Sequence, residues 1–360
     1  MLSRLFRRSA VDCTMQIVPS GRTVKVNAKA TLLQAALDQS IPFPHDCRAG
    51  GCGKCKCRLV SGKVREMTDK SYILSAEELQ QNYVLACQSV PQTDVTVEVD
   101  IDASDRPAHP VIHTRGEITG LDRLTHDILH VQARLQDPAR YTAGQYAEIY
   151  VPGVIHDGVR EARSYSFASA PGTADATDAV SFFIRRVPGG AFTEWLFSEA
   201  RVGTVLEGHG PYGDFWLRPA DAPLLCIAGG SGLAPILAVL EQAKTEGVAR
   251  DVTLFFGART RADLYALDRI EALKAGWHGR FAFEPVLSAE PDDSDWSGRR
   301  GFIPEHFENV LGSGLGRHHA YLCGPPPMID ACIKVLGDAG VGADAIFFDK
   351  FLDRSHVLEA

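Results

Sequence analysis

Hydrophobic and polar positions change rhythm three times along this chain. In TMQIVPSGRTVKVNA apolar and polar residues alternate, which predicts two strands around the turn Pro19-Ser20-Gly21. TLLQAALDQS follows at helical spacing behind a Thr31 cap. CRLVSGKV reads as a strand, SAEELQQN as a short helix whose Ser75 and Glu78 have capping-box spacing, and TDVTVEVDI as a closing strand. A compact β-grasp arrangement fits this order. DIDASDRPAHPVIH is rich in Asp, Ala and Pro, has no periodicity, and reads as a linker. The runs DILHVQARL, GQYAEIYVP, RSYSFAS and AVSFFIRRV then alternate over short lengths between Gly and Pro, the pattern of an antiparallel β-barrel. From about Ala222 apolar strands alternate with helical stretches: LLCIAGG and PILAVLEQAKTEG, VTLFFGA and DLYALDRIEALKAG, FAFEPVLS, then HHAYLCG and PPMIDACIKVLGDAG. That alternation predicts a doubly wound parallel α/β sheet. The expected organisation is multidomain: 13–102, a linker at 103–110, a barrel at 111–219, the α/β domain at 220–351 and a tail at 352–360.

The length of 360 residues agrees with two or three domains. With 45% hydrophobic and 23% charged residues the composition is that of an ordinary globular protein, and a net charge of −8 gives no reason to expect nucleic acid as a partner. No apolar run approaches the ~20 residues of a membrane-spanning helix. Nine cysteines without a secretory signal fit a reducing compartment, so a cytoplasmic location is expected. The first residues, MLSRLFRRSA, mix Leu2, Leu5 and Phe6 with Arg4, Arg7 and Arg8. They read as a frayed terminus, with contact to anionic lipid as the alternative. Membrane association is expected to be at most peripheral, at the inner face.

Four cysteines change the picture. Cys47, Cys52, Cys55 and Cys87 stand as C-x4-C-x2-C…C, the spacing of plant-type [2Fe–2S] ligation. Thiolates are soft ligands that suit iron–sulfur clusters or zinc. Zinc sites usually pair C-x2-C units, and only one such unit is present. Disulfides would need an oxidising compartment. Gly50, Gly51 and Gly53 let the loop wrap closely and turn N–H groups towards sulfur. Cys57 makes a C-x-C with Cys55 but exceeds the ligand count, and Cys13, Cys226 and Cys332 read as ordinary thiols. Lys54, Lys56 and Arg58 beside the loop read as a solvated rim, with steering of an acidic partner as the alternative.

Nucleotide chemistry is signalled twice in the α/β region. LLCIAGGSGLAP runs an apolar strand into a glycine turn and a helix, a seat for pyrophosphate on free N–H groups. Gly229, Gly230 and Gly232 permit close approach, Ser231 adds a hydroxyl, and Pro235 stands at the helix start. The motif departs from G-x-G-x-x-G, which leaves open a different dinucleotide fold or a plain strand–helix connection. AYLCGPPPM marks a second strand end, where Cys323 is either a wall against a ring or a buried thiol. In the barrel region RSYSFAS puts Arg163 and Tyr165 on one strand face and Ser166 on the other. Arginine suits phosphate and tyrosine suits a planar ring. Gly189, Gly190 and Thr193 open a helix in PGGAFTEWLF, a further anion seat. Ordinary packing and turn chemistry is the alternative for each of these.

Taken together, CRAGGCGKC, RSYSF, PGGAFT, GGSGLAP, FFGAR, CGPPPM and DKF make the chain resemble the ferredoxin–flavin–nicotinamide reductases of bacterial aromatic-ring and methyl-group oxygenases. Those of xylene/toluene-type monooxygenases are most alike, and the phenol-hydroxylase and benzoate-dioxygenase reductases come next. The resemblance implies a β-grasp ferredoxin domain with Cys47, Cys52, Cys55 and Cys87 on a [2Fe–2S] cluster, a barrel binding FAD, and an α/β domain binding NADH. It implies that Arg163 meets the FAD pyrophosphate, Tyr165 stacks on the flavin, and Ser166 lies near its reactive nitrogen. Gly189, Gly190 and Thr193 match the second pyrophosphate element. Gly230, Ser231, Gly232 and Pro235 match the nicotinamide-nucleotide loop, and Cys323 and Gly324 flank the nicotinamide. Phe351 matches the aromatic cap of the other flavin face and Asp349 a nearby carboxylate. Ser166, Cys323 and Asp349 are thus the residues expected at the reacting atoms.

The implied reaction takes electron pairs from NADH through FAD to the cluster and passes single electrons to an oxygenase component, in xylene-type systems a membrane protein. Alternatives are another acceptor, such as a dioxygenase, a separate ferredoxin or a deoxysugar dehydratase, and a redox carrier without catalysis. Arg259 and Arg261 leave a 2′-phosphate site open, Asp263 opposes it, and NADH is the expected donor. The chain departs from the family at Ala143, where Pro is frequent, and in its continuation LDRSHVLEA past Phe351.

Overall fold

Alternation in the first segment becomes a small mixed sheet because one face of each strand has a helix to bury against. The computed structural model describes residues 12–45, 48, 50–101, 109–156, 159–171 and 176–351. Strands β1 (Cys13–Val18) and β2 (Arg22–Val26) pair antiparallel and bury Met15, Ile17, Val24 and Val26 on one face. Helix α1 (Leu32–Asp38) buries Leu32, Leu33, Ala35 and Ala36, and its Thr31 cap accepts a hydrogen bond from the Gln34 N–H at 3.1 Å. There follow β3 (Lys56–Ser61), β4 (Val64–Glu66), α2 (Ala76–Gln80), β5 (Tyr83–Leu85), β6 (Ser89–Pro91) and β7 (Val95–Glu98). The order β2-β1-β7-β3-β5, with β1 and β7 parallel and the other pairs antiparallel, is a β-grasp sheet. CRLVSGKV is not one strand. The chain breaks at Gly62, whose φ is +92°, and β4 leaves to pair with β6.

The second compact unit begins at Ile112. Its first part comprises β8 (Ile112–Arg123), β9 (Ile128–Ala139), β10 (Tyr146–His156), β11 (Val159–Ser166), β12 (Thr177–Arg185), α3 (Ala191–Ser198) and β13 (Val205–Tyr212). These strands form one antiparallel sheet in the order β11-β10-β13-β8-β9-β12. A bridge between Phe167 and Phe182 joins its two edges, which closes the barrel around Ile118, Val131, Phe182 and Ile184.

The rest of the unit runs β14 (Leu224–Gly229), α4 (Leu233–Thr245), β15 (Val252–Ala258), α5 (Leu267–Ala275), β16 (Phe281–Leu287), β17 (Arg299–Arg300), α6 (Phe307–Leu311), β18 (His319–Gly324), α7 (Pro326–Asp338) and β19 (Ile346–Lys350). The sheet order β17-β16-β15-β14-β18-β19 is parallel throughout. Strand β14 is buried along its whole length, as a central parallel strand covered on both faces must be. The strand order reverses between β14 and β18, the point at which such sheets bind ligands. DLYALDRIEALKAG is helical only from Leu267, because Tyr265 turns inward and donates its hydroxyl to the Gly230 carbonyl at 2.9 Å.

Barrel and parallel sheet share one core, in which Ile128, Phe183 and Phe215 pack with Leu237, Phe256 and Tyr321. The departure at Ala143 contributes to this junction, since its N–H donates to Gln242 Oε1 on α4 at 2.9 Å. Proline there removes the donor. Ala143→Pro is expected to cost about 1 kcal/mol, the usual net worth of such a bond, seen as earlier thermal unfolding of this unit. Unchanged unfolding would show the bond to be idle.

Candidate functional site

In the first unit, strand register brings distant cysteines together. Lys56 of β3 pairs with Leu85 of β5, and the Ala86 N–H donates to the Cys55 carbonyl at 3.0 Å, so Cys55 and Cys87 lie side by side although 32 positions separate their numbers. Both are buried, at 3% and 5% exposure, and Cys52 is half-buried. Gln88 Nε2 donates to Cys87 Sγ at 3.7 Å. Arg48, Gly50 and Gly53 have φ of +52°, +82° and +73°, so the loop curls tightly around this point. The fourth expected ligand, Cys47, lies outside the described residues. Thiols gathered at a glycine-turned loop are a donor set that suits an iron–sulfur cluster. Cys57 is buried beside them, and burial first, with neighbouring Cys87 adding to it, pushes its thiol up to about 12, which leaves it neutral at neutral pH. Lys56 pairs with Glu78 and Arg58 with Glu98, so the positive rim is partly offset where it stands.

The barrel motifs converge. Tyr165 on β11 packs its ring 5.4 Å from that of Phe192 on α3, which joins the RSYS strand to the PGGAFT helix. Burial raises the Tyr165 phenol well above its ordinary range, and Arg163 only partly offsets this. Ser166 is buried at 7% exposure, and Arg163 is ion-paired with Glu161. Thr193 is buried and locks the turn ahead of α3: its hydroxyl donates to the Val187 carbonyl at 3.1 Å and accepts from the Val187 N–H at 3.0 Å. A Cβ on Gly190 would meet Thr193 Oγ1 at 2.8 Å and the Val187 carbonyl at 3.0 Å, so only glycine leaves the α3 N-terminus this shape. Gly189 faces open space at φ +71°. An arginine, a half-buried tyrosine and a bare helix N-terminus fit the ring and phosphates of a flavin dinucleotide. Thr193→Val is expected to cost about 1–3 kcal/mol through unpaired Val187 groups and to loosen flavin retention, which release of flavin fluorescence on heating measures.

In the parallel sheet the glycine turn and the CGPPP turn touch. A Cβ on Gly232 would fall inside the Cys323 carbonyl and 2.7 Å from the Gly324 nitrogen; one on Gly324 would meet the Gly229 carbonyl at 2.9 Å. Cys323 is fully buried at the end of β18, in register with Asp349 of β19, which is 6% exposed. The Phe351 N–H donates to the Gly324 carbonyl at 2.9 Å, which draws half-buried Phe351 to the same turn. Pro235 lies in the first turn of α4, buried at the core, and half-buried Ser231 stands in the turn itself. A cavity of about 530 Å³ opens at the C-terminal ends of β14, β15 and β16, lined by Gly229, Gly230, Phe256, Arg259, Phe302 and Met328 among others. Its size is that of a nucleotide site. Asp127 and Arg185 of the barrel also line it. Sequence reading missed both, although Arg185 closes the apolar strand FFIR and its position opposite a nucleotide fold was the available hint.

Fold and site define an oxidoreductase that works with a [2Fe–2S] cluster, FAD and a nicotinamide dinucleotide. Family models agree segment by segment: the 2Fe-2S iron-sulfur cluster binding domain at residues 15–92, the oxidoreductase FAD-binding domain at 116–216 and the oxidoreductase NAD-binding domain at 226–334. The xylene/toluene monooxygenase electron transfer component of Pseudomonas putida is 41% identical over 95% of both chains. The reductase component of phenol 2-monooxygenase from Pseudomonas sp. strain CF600 is 37% identical over 93% of both. The crystal structure of the Amycolatopsis cytochrome P450 reductase superposes with a TM-score of 0.80 at 35% identity, covering 94% of this chain and 98% of that one. The chain belongs to the ferredoxin–flavin–nicotinamide reductases that act as electron-transfer components of oxygenase systems. Among the described residues no helix is long and apolar enough to cross a membrane, and MLSRLFRRSA lies outside them.

Proposed function

We propose that this reductase uses NADH and serves a monooxygenase that attacks an aromatic ring or its methyl group. The observation that carries the reading is the 41% identity to the xylene/toluene monooxygenase component, sustained through all three cofactor segments. The domains run over 13–102, 111–219 and 220–351, which the compact unit beginning at Ile112 supports. Cys47, Cys52, Cys55 and Cys87 hold the cluster. Arg163, Gly189, Gly190 and Thr193 seat the FAD phosphates. Tyr165 and Phe351 take the flavin faces. Gly230, Ser231, Gly232, Pro235 and Gly324 shape the dinucleotide seat, and Ser166, Cys323 and Asp349 stand at the reacting atoms. When bound, FAD and the cluster together turn a two-electron donor into a source of single electrons.

The chain's own residues position rings and exclude water. Support comes from the buried register partners Cys323 and Asp349, the buried Ser166, and the bond that ties Phe351 to Gly324. Asp349 orients the nicotinamide or assists the flavin proton. Anaerobic titration of the purified protein with NADH and with NADPH is expected to bleach flavin and cluster bands at far lower NADH. NADH-driven turnover should follow when the protein is mixed with a candidate aromatic hydroxylase. A preference for NADPH would remove the donor assignment; turnover only with a dioxygenase or a separate ferredoxin would remove the acceptor.

A further inference from the structure

One wall of the dinucleotide cavity comes from the barrel. Asp127, just ahead of β9, and Arg185, at the end of β12, face Arg259 and Asp263, which follow β15. Asp127 Oδ2 accepts from Arg185 Nε at 3.1 Å and from Arg259 Nη2 at 3.1 Å. Arg259 also reaches Asp263 at 3.4 Å, and His126 Nδ1 stands 3.3 Å from the same Asp263 oxygen. The Thr125 hydroxyl donates to the other Asp127 oxygen at 3.0 Å. Burial opposes ionisation of Asp127, but Arg185, Thr125 and His126 together outweigh it and hold the carboxyl below its ordinary value. The carboxylate is thus an internal anion, 16% exposed, on which two guanidinium groups from two parts of the fold converge at one oxygen.

Each guanidinium carries five donors and spends only part of them on carboxylates, and both side chains remain about half exposed at the cavity. Two arginines converging at the mouth of a cavity whose floor is a glycine turn match the paired charges of a diphosphate, for which the guanidinium fork is well shaped. We propose that Arg185 and Arg259 bind the diphosphate of the nicotinamide dinucleotide, and that Asp127 is a competing internal anion that holds both arginines and yields them when the dinucleotide binds. This rests on the reading of the cavity as the dinucleotide site. Asp127 then weakens dinucleotide binding and speeds product release, because every binding event must displace a carboxylate from both arginines.

The test is inhibition of NADH:ferricyanide reduction by ADP and by adenosine, using the intact, flavin-loaded protein. Arg185→Gln and Arg259→Gln are expected to weaken ADP inhibition about tenfold, while adenosine, which lacks phosphate, inhibits as before. Asp127→Asn, which keeps the shape and removes the charge, is expected to strengthen ADP inhibition at least about fivefold and to leave adenosine unchanged. Arg185→Lys, which keeps the charge and loses the fork, should fall between Arg185→Gln and the unaltered protein. Equal ADP inhibition in all variants would overturn the proposal, and so would ADP and adenosine weakening in parallel, which marks a structural role. Failure of ADP to compete with NADH in the unaltered protein would instead overturn the cavity assignment itself.

Discussion

Cys87→Ser is expected to abolish electron delivery to an oxygenase while NADH-driven reduction of ferricyanide continues. The loss should exceed the roughly 10–100-fold that follows removal of a mere outer-shell partner at a metal site, because a thiolate ligand itself is replaced by a hard oxygen. The β3–β5 register and the Ala86–Cys55 bond hold Cys87 next to Cys55, so no other cysteine is presented from that segment. Cys57 is the informative control. It is buried at 1% exposure and neutral, so Cys57→Ala is expected to cost packing energy and to keep the cluster absorbance and its electron paramagnetic resonance signal. A retained cluster in Cys87→Ser, or a lost one in Cys57→Ala, would reassign the ligands.

The second large effect is expected at Gly232. An alanine methyl would overlap the Cys323 carbonyl and press on the Gly324 nitrogen, 2.7 Å away. Both are backbone atoms of a parallel strand and its turn, so neither moves aside as a flexible side chain would. Overpacking of this kind costs about 1–3 kcal/mol, and each 1.4 kcal/mol is tenfold in affinity. Gly232→Ala is therefore expected to raise the NADH requirement for flavin reduction about tenfold or more, with FAD still bound to the barrel. Gly337, in α7 with nothing within 4 Å of its Cβ position, offers the contrast. Alanine there should stabilise the fold by about 0.8–1 kcal/mol through helix propensity alone. Stopped-flow flavin reduction at varied NADH measures the first, and thermal unfolding the second. Equal kinetics in Gly232→Ala and the unaltered protein would show that the two turns are not closely coupled.

Features that depend on neighbours in the chain were legible early. The Thr31 cap and the Ser75–Glu78 capping box each close a helix start within four residues, and both are present. The cysteine spacing carries its own geometry, since three of the proposed ligands are close neighbours in the sequence. Less legible were breaks and polar strands. CRLVSGKV looks continuous until Gly62 turns it towards β6, because a Cβ there would fall inside the Asp94 carbonyl and only the folded partner reveals that clash. Strand β8 went unread because half of its positions are exposed, and β13 because its buried half, His209 to Tyr212, carries few aliphatic residues and supplies little hydrophobic signal. DLYALDRIEALKAG lost its first turn to a hydrogen bond with Gly230, a residue 35 positions away.

Local order, ligand spacing and motif order are written in the chain because capping, turn chemistry and side-chain periodicity act over a few residues. They carried the three-part architecture, the cofactors and the family resemblance. Convergence is different in kind. That Cys87 joins Cys55, that Asp349 stands beside Cys323, and that Asp127 of the barrel takes hold of Arg259 in the nucleotide fold are consequences of sheet register and of one shared core. Burial energy selects those registers across distances that no local pattern encodes, so the partners at the site emerge only when the whole unit is folded.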